Sequence, residues 1–347
     1  MRRFLYILLA LTLSLPILTS CNIGQKSRVQ TTQFYEYFDT LSTVQSYRGD
    51  TEAEFDKNCA LVRATLEKYH RMFDIYYEYA GVNNLKTVNK NAGKAPVKVE
   101  RELIDFLLYC KEIYALTNGE TNIALGAVTK LWHDCREKAI DSPELAHLPS
   151  PTELENASLH TSIDAIVIDE ALSTVYINDP YTSIDVGAIG KGYAAERAKE
   201  ALIDAGVTSY VLNIGGNICC IGTKQNGEGW RTSVKEPWVA GGYSITVYLS
   251  DITCVTSGSY ERYYTVNGIK YHHLIDKDTL MPSEHFASVS VFCDDSALAD
   301  SLSTALFCMT YEDGLELVSS IGGIDVFWID NNGKKYMTDG VRDLMNE

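Results

Sequence analysis

The stretch from Ser183 to Cys220 constrains this chain more than any other. It reads SIDVGAIGKGYAAERAKEALIDAGVTSYVLNIGGNICC. Asp185 is expected to end a short strand, and Gly187, Gly190 and Gly192 follow, with Lys191 between the last two. A helix is then predicted that packs through Ala194, Ala195, Ala198, Ala201 and Leu202 and stops at Gly206. An apolar strand, Tyr210–Ile214, comes next and closes at Gly215 and Gly216. Strand, Gly/Lys turn and helix N-terminus together make an anion site, because backbone N–H groups and the positive end of the helix dipole face one spot. The glycine spacing fits neither the dinucleotide G-x-G-x-x-G nor the P-loop phosphate motif. Alone, such a turn is an ordinary tight connection.

The first twenty residues read as an address. Arg2 and Arg3 precede an apolar run from Phe4 to Ile17, and Leu18-Thr19-Ser20-Cys21 follows. A basic start, a short apolar core and small residues before a cut make a secretory signal peptide over 1–20. The cysteine at the cut points to a bacterial lipoprotein, cleaved before Cys21 and lipid-modified there. The run is short for a membrane span, and no later segment is long and apolar enough to cross a bilayer. The expectation is an extracytoplasmic protein tethered to the membrane, with a polar linker over 21–33 and one folded domain over 34–347.

The net charge of −16 disfavours nucleic acid and anionic membrane surfaces as partners. A phosphate-rich ligand would need help from a cation or from backbone donors. The eight cysteines after Cys21 lack C-x-x-C spacing, so they are read as buried free thiols.

Phe34–Tyr47 alternates and is rich in aromatic and β-branched residues, which predicts the first strand. Thr51-Glu-Ala-Glu54 is a capping box, and Phe55, Cys59, Val62, Leu66, Tyr69 and Phe73 form the stripe of an amphipathic helix. That helix is read as core, with nothing in it asking for chemistry. An aromatic and Asn-rich loop follows. A helix is then expected over about 100–118, stopped by Gly119, with another helical stretch ending near Trp132. Residues 134–160, charged and with three prolines, read as a surface insertion. Hairpins are predicted from Ala165–Asp169 with Thr174–Asn178, and around Asn267-Gly268. Strands are expected at Trp230–Lys235, Tyr243–Asp251, Tyr271–Asp276, Ser288–Cys293 and Ile324–Ile329. Helices are expected over Ser296–Met309 and near Glu312–Ser320. Many strands with interspersed helices, and no regular βαβ rhythm, give the α+β class.

Asp300 and Thr304 lie four apart on one predicted helix, so their oxygens share a face. A carboxylate plus a hydroxyl suits Mg²⁺, which completes its shell with waters and substrate phosphates. An isolated D-x-x-x-T is more often a helix acid beside a core threonine. Tyr271-His272-His273 offers imidazole near Asp276, and in a strand only one of the two histidines can face a given site. No G-x-S-x-G, H-E-x-x-H or C-x-x-C motif is present, which argues against common hydrolase, zinc-protease and dithiol chemistry.

Taken in order, these motifs resemble the FAD:protein FMN transferase (ApbE, thiamine-biosynthesis-lipoprotein) family. The resemblance runs from about Phe34 to Met337. Phe38-Asp-Thr40, Tyr79 with Asn83-Asn84-Leu85 and Asn89, and Gly119-Glu-Thr-Asn122 carry it first. Asp185–Tyr193, Asn213-Ile-Gly-Gly216 and Thr256–Arg262 follow, then His273-Leu-Ile-Asp-Lys-Asp-Thr279 with Pro282, and Ala299-Asp-Ser-Leu-Ser-Thr304. It implies a T-fold-related α+β architecture holding one FAD, with Mg²⁺ at the diphosphate. It implies transfer of FMN to a threonine hydroxyl of an acceptor flavoprotein, with release of AMP. The implied acceptors are subunits of membrane redox pumps or extracytoplasmic electron-transfer proteins.

By position, Asp185 and Lys191 match FAD contacts, and Phe38, Tyr79, Glu120, Thr121, Asn122 and Leu274 match flavin or adenine contacts. Ala188 matches a carbonyl given to the metal, and Asp300 and Thr304, with Ser303 beside them, match the metal ligands. His273 lies in the matching His-x-Ile-Asp segment near the reacting phosphate and is a candidate base, alongside a metal-bound carboxylate or water. Phe38 stands where many relatives have Met, Asn122 where many have Asp and Gly190 where many have Ala. Lys277 and Leu280 replace the Pro and Gly of the usual D-P-x-T-G. The alternatives are Mg²⁺-dependent FAD hydrolysis to FMN and AMP, and a flavin-binding lipoprotein without chemistry. A solute-binding receptor would need two lobes with βαβ rhythm, which the sequence lacks.

Overall fold

The strand Phe286–Cys293 is buried along its whole length, so both of its faces must be covered. The computed structural model describes residues 29–47 and 49–346 and shows how. The leader and Cys21 lie outside the described residues. The chain opens with β1 (Gln30–Phe34), β2 (Ser42–Ser46), α1 (Glu52–Phe73), α2 (Leu85–Lys90), β3 (Val97–Lys98) and α3 (Arg101–Leu116). It continues through α4 (Gly126–Asp141), α5 (Pro151–Ser158), β4 (Ile166–Asp169), β5 (Thr174–Ile177) and α6 (Gly190–Asp204). Seven strands follow: β6 (Ser209–Ile214), β7 (Asn217–Gly222), β8 (Trp230–Lys235), β9 (Tyr243–Leu249), β10 (Thr253–Gly258), β11 (Tyr263–Val266) and β12 (Ile269–His272). The last elements are β13 (Phe286–Cys293), α7 (Ser296–Cys308), α8 (Tyr311–Ile321), β14 (Asp325–Asp330), β15 (Lys335–Met337) and α9 (Asp339–Leu344).

An eight-stranded antiparallel sheet in the order β1-β2-β6-β7-β10-β13-β14-β15 is the frame. On one face α7 lies on β10 and β13, α6 lies against α7, and α1 packs on α6. On the other face the β8–β9 hairpin covers Cys220, Cys254, Phe292, Phe327 and Ile329 with Trp230, Val234, Ile245, Val247 and Leu249. A small sheet, β3-β5-β4, and the β11–β12 hairpin stand apart from the frame. Each large side chain buried here contributes about 1.5–3 kcal/mol relative to exposure. The fold is α+β, as the alternation pattern predicts.

Much of the local reading holds. Thr51 and Glu54 form the capping box, and the stripe from Phe55 to Phe73 is buried. Asn267 and Gly268, at φ 50° and 84°, make the two-residue turn between β11 and β12. All eight described cysteines are free and buried.

Four expectations are corrected. Phe34–Tyr47 is not one strand: a turn over 35–41 separates β1 from β2, with Phe38 and Asp39 at φ 57° and 49°. Pairing also begins at Gln30, inside the expected linker. Residues 134–160 are not a surface insertion, because α4 runs on to Asp141 and joins Cys135, Ala139 and Leu154 in a core with Tyr264 and Ile275. Asp185 ends no strand; Ser183 forms one isolated parallel bridge to Leu125.

Candidate active site

The turn 183–189 is held by groups distant in sequence. The Asn89 side chain clamps the Ile184 peptide, accepting from its N–H at 2.8 Å and donating to its carbonyl at 2.9 Å. Asp185 N–H reaches Ile123 O at 2.9 Å. The Asp185 carboxylate accepts from Gly187 N at 2.9 Å through Oδ1 and from Thr129 Oγ1 at 2.6 Å through Oδ2. Thr129 thus aims Asp185 from α4.

Helix α6 then starts at Gly190 without a side-chain cap. Its Gly192 N–H donates to Asp300 Oδ2 of α7 at 2.7 Å, which leaves the Ala188 carbonyl without that helical donor. Lys191 N–H has no protein partner among the described residues. The contact requires glycine: a Cβ at Gly192 would sit 2.3 Å from both Asp300 Cβ and Ser296 O. Lys191 Nζ lies 3.9 Å from Asp300 Oδ1 and 3.4 Å from Asn217 Oδ1. Asp300 is only 5% exposed. A buried carboxylate, an ammonium and a helix N-terminus therefore share one place.

The α6–α7 pairing is secured by a buried network. Glu196 accepts from Lys199 Nζ at 2.7 Å and from Ser296 N at 2.7 Å, and Lys199 also donates to Asp294 O. Burial works against the Lys199 ammonium, but Glu196 beside it outweighs burial and holds its pKa above the ordinary value. Asp295 caps α7, accepting from Ala297 N at 2.7 Å and Leu298 N at 3.0 Å.

The remaining candidates divide. Thr304 is half-buried one turn beyond Asp300, and its hydroxyl makes no hydrogen bond among the described residues. Ser303 is fully buried, donating to Asp300 O at 2.9 Å and paired with Ser257 Oγ at 2.9 Å. Thr121 is buried and donates to Ser301 O at 2.8 Å. Asn122 spends its amide inside the chain, accepting from Ala124 N and donating to Thr161 O, each at 2.9 Å. Leu274 is a core side chain. Glu120 is paired with Lys277 at 3.2 Å; burial raises its pKa and Lys277 opposes that. Phe38 and Tyr79 meet at His70.

His273 is solvent-exposed, with Nδ1 3.2 Å from Arg262 O. A carbonyl only accepts, so Nδ1 carries the proton and Nε2 is left as an acceptor. The positive charge of Arg262 beside it works against a proton on the ring. Tyr76 packs against His133 of α4, 5.2 Å between ring centres, and burial and then the Asp185 charge raise its pKa to about 12. The structure thus joins Lys191 with Asp300, places Asp185 at the head of the same turn, and sets His273 beside Arg262. Thr129, Asn89, Asn217 and Tyr76 were not among the predicted site residues. The bonded partners of the first three lie 56, 95 and 26 residues away, beyond any local pattern.

Among the described residues no group of three or more His, Cys, Asp or Glu can hold a metal. The oxygens at hand are one carboxylate, a hydroxyl and a free carbonyl, a set that fits a hard cation drawing its other ligands from water and phosphate.

Over residues 38–328 the sequence matches the ApbE family. The chain belongs to it. Among curated ApbE relatives, the FAD:protein FMN transferase of Treponema pallidum is 30% identical over 310 residues, covering 84% of this chain and 82% of that one. That of Klebsiella pneumoniae is 27% identical over 281 residues, covering 79% and 83%. The ApbE protein of Thermotoga maritima superposes with a TM-score of 0.80 at 24% identity, over 92% of this chain and all of that one. The flavin transferase ApbE of Vibrio cholerae gives 0.74 at 21%, over 91% and 100%. The ApbE architecture is therefore the one described above.

Proposed function

We infer that this chain is a flavinyltransferase: it moves FMN from FAD to a threonine hydroxyl of an acceptor protein and releases AMP. The observation that carries the reading is the convergence of Lys191, the α6 N-terminus and buried Asp300 on one spot in a member of this family. Phosphoryl-type transfer asks for positioning and charge neutralisation more than covalent help. The threonine oxygen bonds to the FMN phosphorus, the bond from that phosphorus to the bridging oxygen breaks, and AMP leaves with the electron pair.

Lys191 Nζ and the Lys191 N–H supply positive charge for the diphosphate. Asp300, Thr304 and the Ala188 carbonyl would hold Mg²⁺, which when bound offsets charge on the leaving phosphate. His273 Nε2 takes the hydroxyl proton. With Nδ1–H donated to Arg262 O, Nε2 keeps a free lone pair able to accept it. Thr129 and Gly187 N–H keep Asp185 in one orientation beside the turn. Export, processing before Cys21 and a lipid anchor on its thiol complete the reading.

The test is incubation with FAD, Mg²⁺ and an acceptor carrying the target threonine, read by intact mass and by AMP release. Transfer predicts an acceptor mass gain of one FMN residue with equimolar AMP, and a threonine-to-valine acceptor that stays unlabelled. Free FMN and AMP formed at the same rate without acceptor would make the protein a pyrophosphatase. FAD binding with neither product would make it a carrier.

A further inference from the structure

The last turn of α1 does more than pack. His70 is half-buried at a position that the apolar stripe of α1 leaves out. Its Nδ1 accepts the Phe38 N–H at 3.3 Å, and the Phe38 ring stands edge-on to the imidazole at 5.4 Å. Its Nε2 lies 3.4 Å from Tyr79 Oη, and the Tyr79 hydroxyl donates to Asp74 Oδ2 at 2.7 Å. A backbone N–H can only donate, so Nδ1 is the acceptor and the proton of the neutral ring sits on Nε2, facing Tyr79. The bonds run one way: Phe38 N–H to His70, His70 to Tyr79, Tyr79 to Asp74.

Both ends of this chain need holding. Phe38 and Asp39 are consecutive non-glycine residues in the left-handed region, a conformation that costs free energy unless surrounding contacts enforce it. The next residue, Thr40, rests on Gly215, where a Cβ would come within 2.3 Å of its Oγ1. That glycine turn leads directly into Asn217, the partner of Lys191. At the other end, Asp74 Oδ1 accepts from Tyr76 N at 2.6 Å and Tyr77 N at 2.9 Å, which fixes the loop that carries Tyr76 against His133 of α4 and leads to Tyr79. One imidazole therefore joins the turn that leads to Thr40 and Gly215 with the loop that leads to Tyr79.

We propose that His70 is a positioning residue that fixes Phe38 and Tyr79 as a preformed aromatic recess for the flavin ring. It sets how tightly FAD is held without touching the reacting phosphate. The proposal rests on the flavinyltransferase reading and on Phe38 and Tyr79 facing the flavin. Without His70 the strained turn has no acceptor for its N–H, and Tyr79 loses one of its two polar neighbours. FAD would then have to order both walls when it binds.

The experiment compares the protein with His70→Leu and His70→Asn, using quenching of FAD fluorescence, steady-state turnover of FAD and thermal melting. Asn keeps an acceptor near the Nδ1 position, whereas Leu keeps bulk alone. His70→Leu should raise the Kd and KM for FAD about tenfold, the scale of one lost buried hydrogen bond. Its kcat at saturating FAD should stay within about twofold, and His70→Asn should recover most of the affinity. Unchanged affinity in His70→Leu would overturn the role of His70 alone. A joint fall of kcat and melting temperature that His70→Asn does not relieve would make His70 merely structural and overturn it too. Failure of the unaltered protein to bind FAD would overturn both this proposal and the transferase reading.

Discussion

A methyl group on Gly192 is the smallest change that should open the centre of this molecule. The added carbon would sit 2.3 Å from Asp300 Cβ and 2.3 Å from Ser296 O, over an ångström inside ordinary contact. Neither neighbour can yield freely, since Ser296 is held by Glu196 and Asp300 is a buried residue of α7. Either α6 and α7 separate or Asp300 turns away from the Gly192 N–H. Overpacking of this kind costs about 1–3 kcal/mol. Loss of a hydrogen bond to a charged group adds about 1.5–3 kcal/mol. The better helix propensity of alanine returns about 1 kcal/mol. Gly192→Ala should therefore lose about 1.5–5 kcal/mol, read as a lower urea midpoint at constant m-value, and should lose FAD turnover as Lys191 and Asp300 part. A variant with unchanged midpoint and unchanged activity would show that the close approach of α6 to α7 organises nothing.

Lys199→Met should cost about 3–5 kcal/mol, because it leaves Glu196 buried without its cation, and adding Glu196→Leu should recover part of that in a urea titration. If the single variant were neutral, the pair would not be holding α7. Stability should fall as pH drops below 6.5: the unfolded chain's histidines take protons there, whereas burial lowers the pKa of folded His272, whose Nδ1 accepts Leu274 N–H and whose Nε2 faces Ser283 O. This group contributes up to about 1.4 kcal/mol per pH unit in that window, and His272→Gln should flatten the slope between pH 7.5 and 5.5; an unchanged slope would assign it to other groups. Leu280→Gly should be neutral within about 1 kcal/mol, since release from φ 60° offsets the lost partly buried side chain and the backbone bonds to Trp132 and Asp276 remain. A loss above about 3 kcal/mol in its melting curve would mean that the left-handed leucine carries no strain.

What could be read from the sequence followed periodicity and local chemistry. The stripe of α1, the capping box at Thr51 and the Asn267-Gly268 turn are local signals, and each element formed where its signal lay. The α6 turn with Lys191 was visible as a potential anion site, and Asp300 with Thr304 as an oxygen pair. The family resemblance placed both at one diphosphate, but the contacts that join them were not visible. Gly192 meets Asp300 across 108 residues, and Thr129 aims Asp185 across 56. The β1–β2 turn was missed because Phe38 and Asp39, rather than glycines, take the positive φ values, so no breaker interrupts the alternating run. The end of α4 was read as surface because its charged residues outnumber Cys135 and Ala139, the two that face the core. His70 was passed over for the same reason, as one polar residue at the end of an apolar stripe.

On this reading the FAD diphosphate lies at the α6 N-terminus between Lys191 and Asp300. A crystal structure with FAD and Mn²⁺ in place of Mg²⁺, with the metal located by its anomalous signal, tests it most directly. The expected result is a metal peak coordinated by Asp300 and shared with the diphosphate, the phosphates within reach of Lys191, and the flavin ring against Phe38 and Tyr79. An ordered FAD elsewhere on the molecule, or a metal peak away from α7, would contradict it.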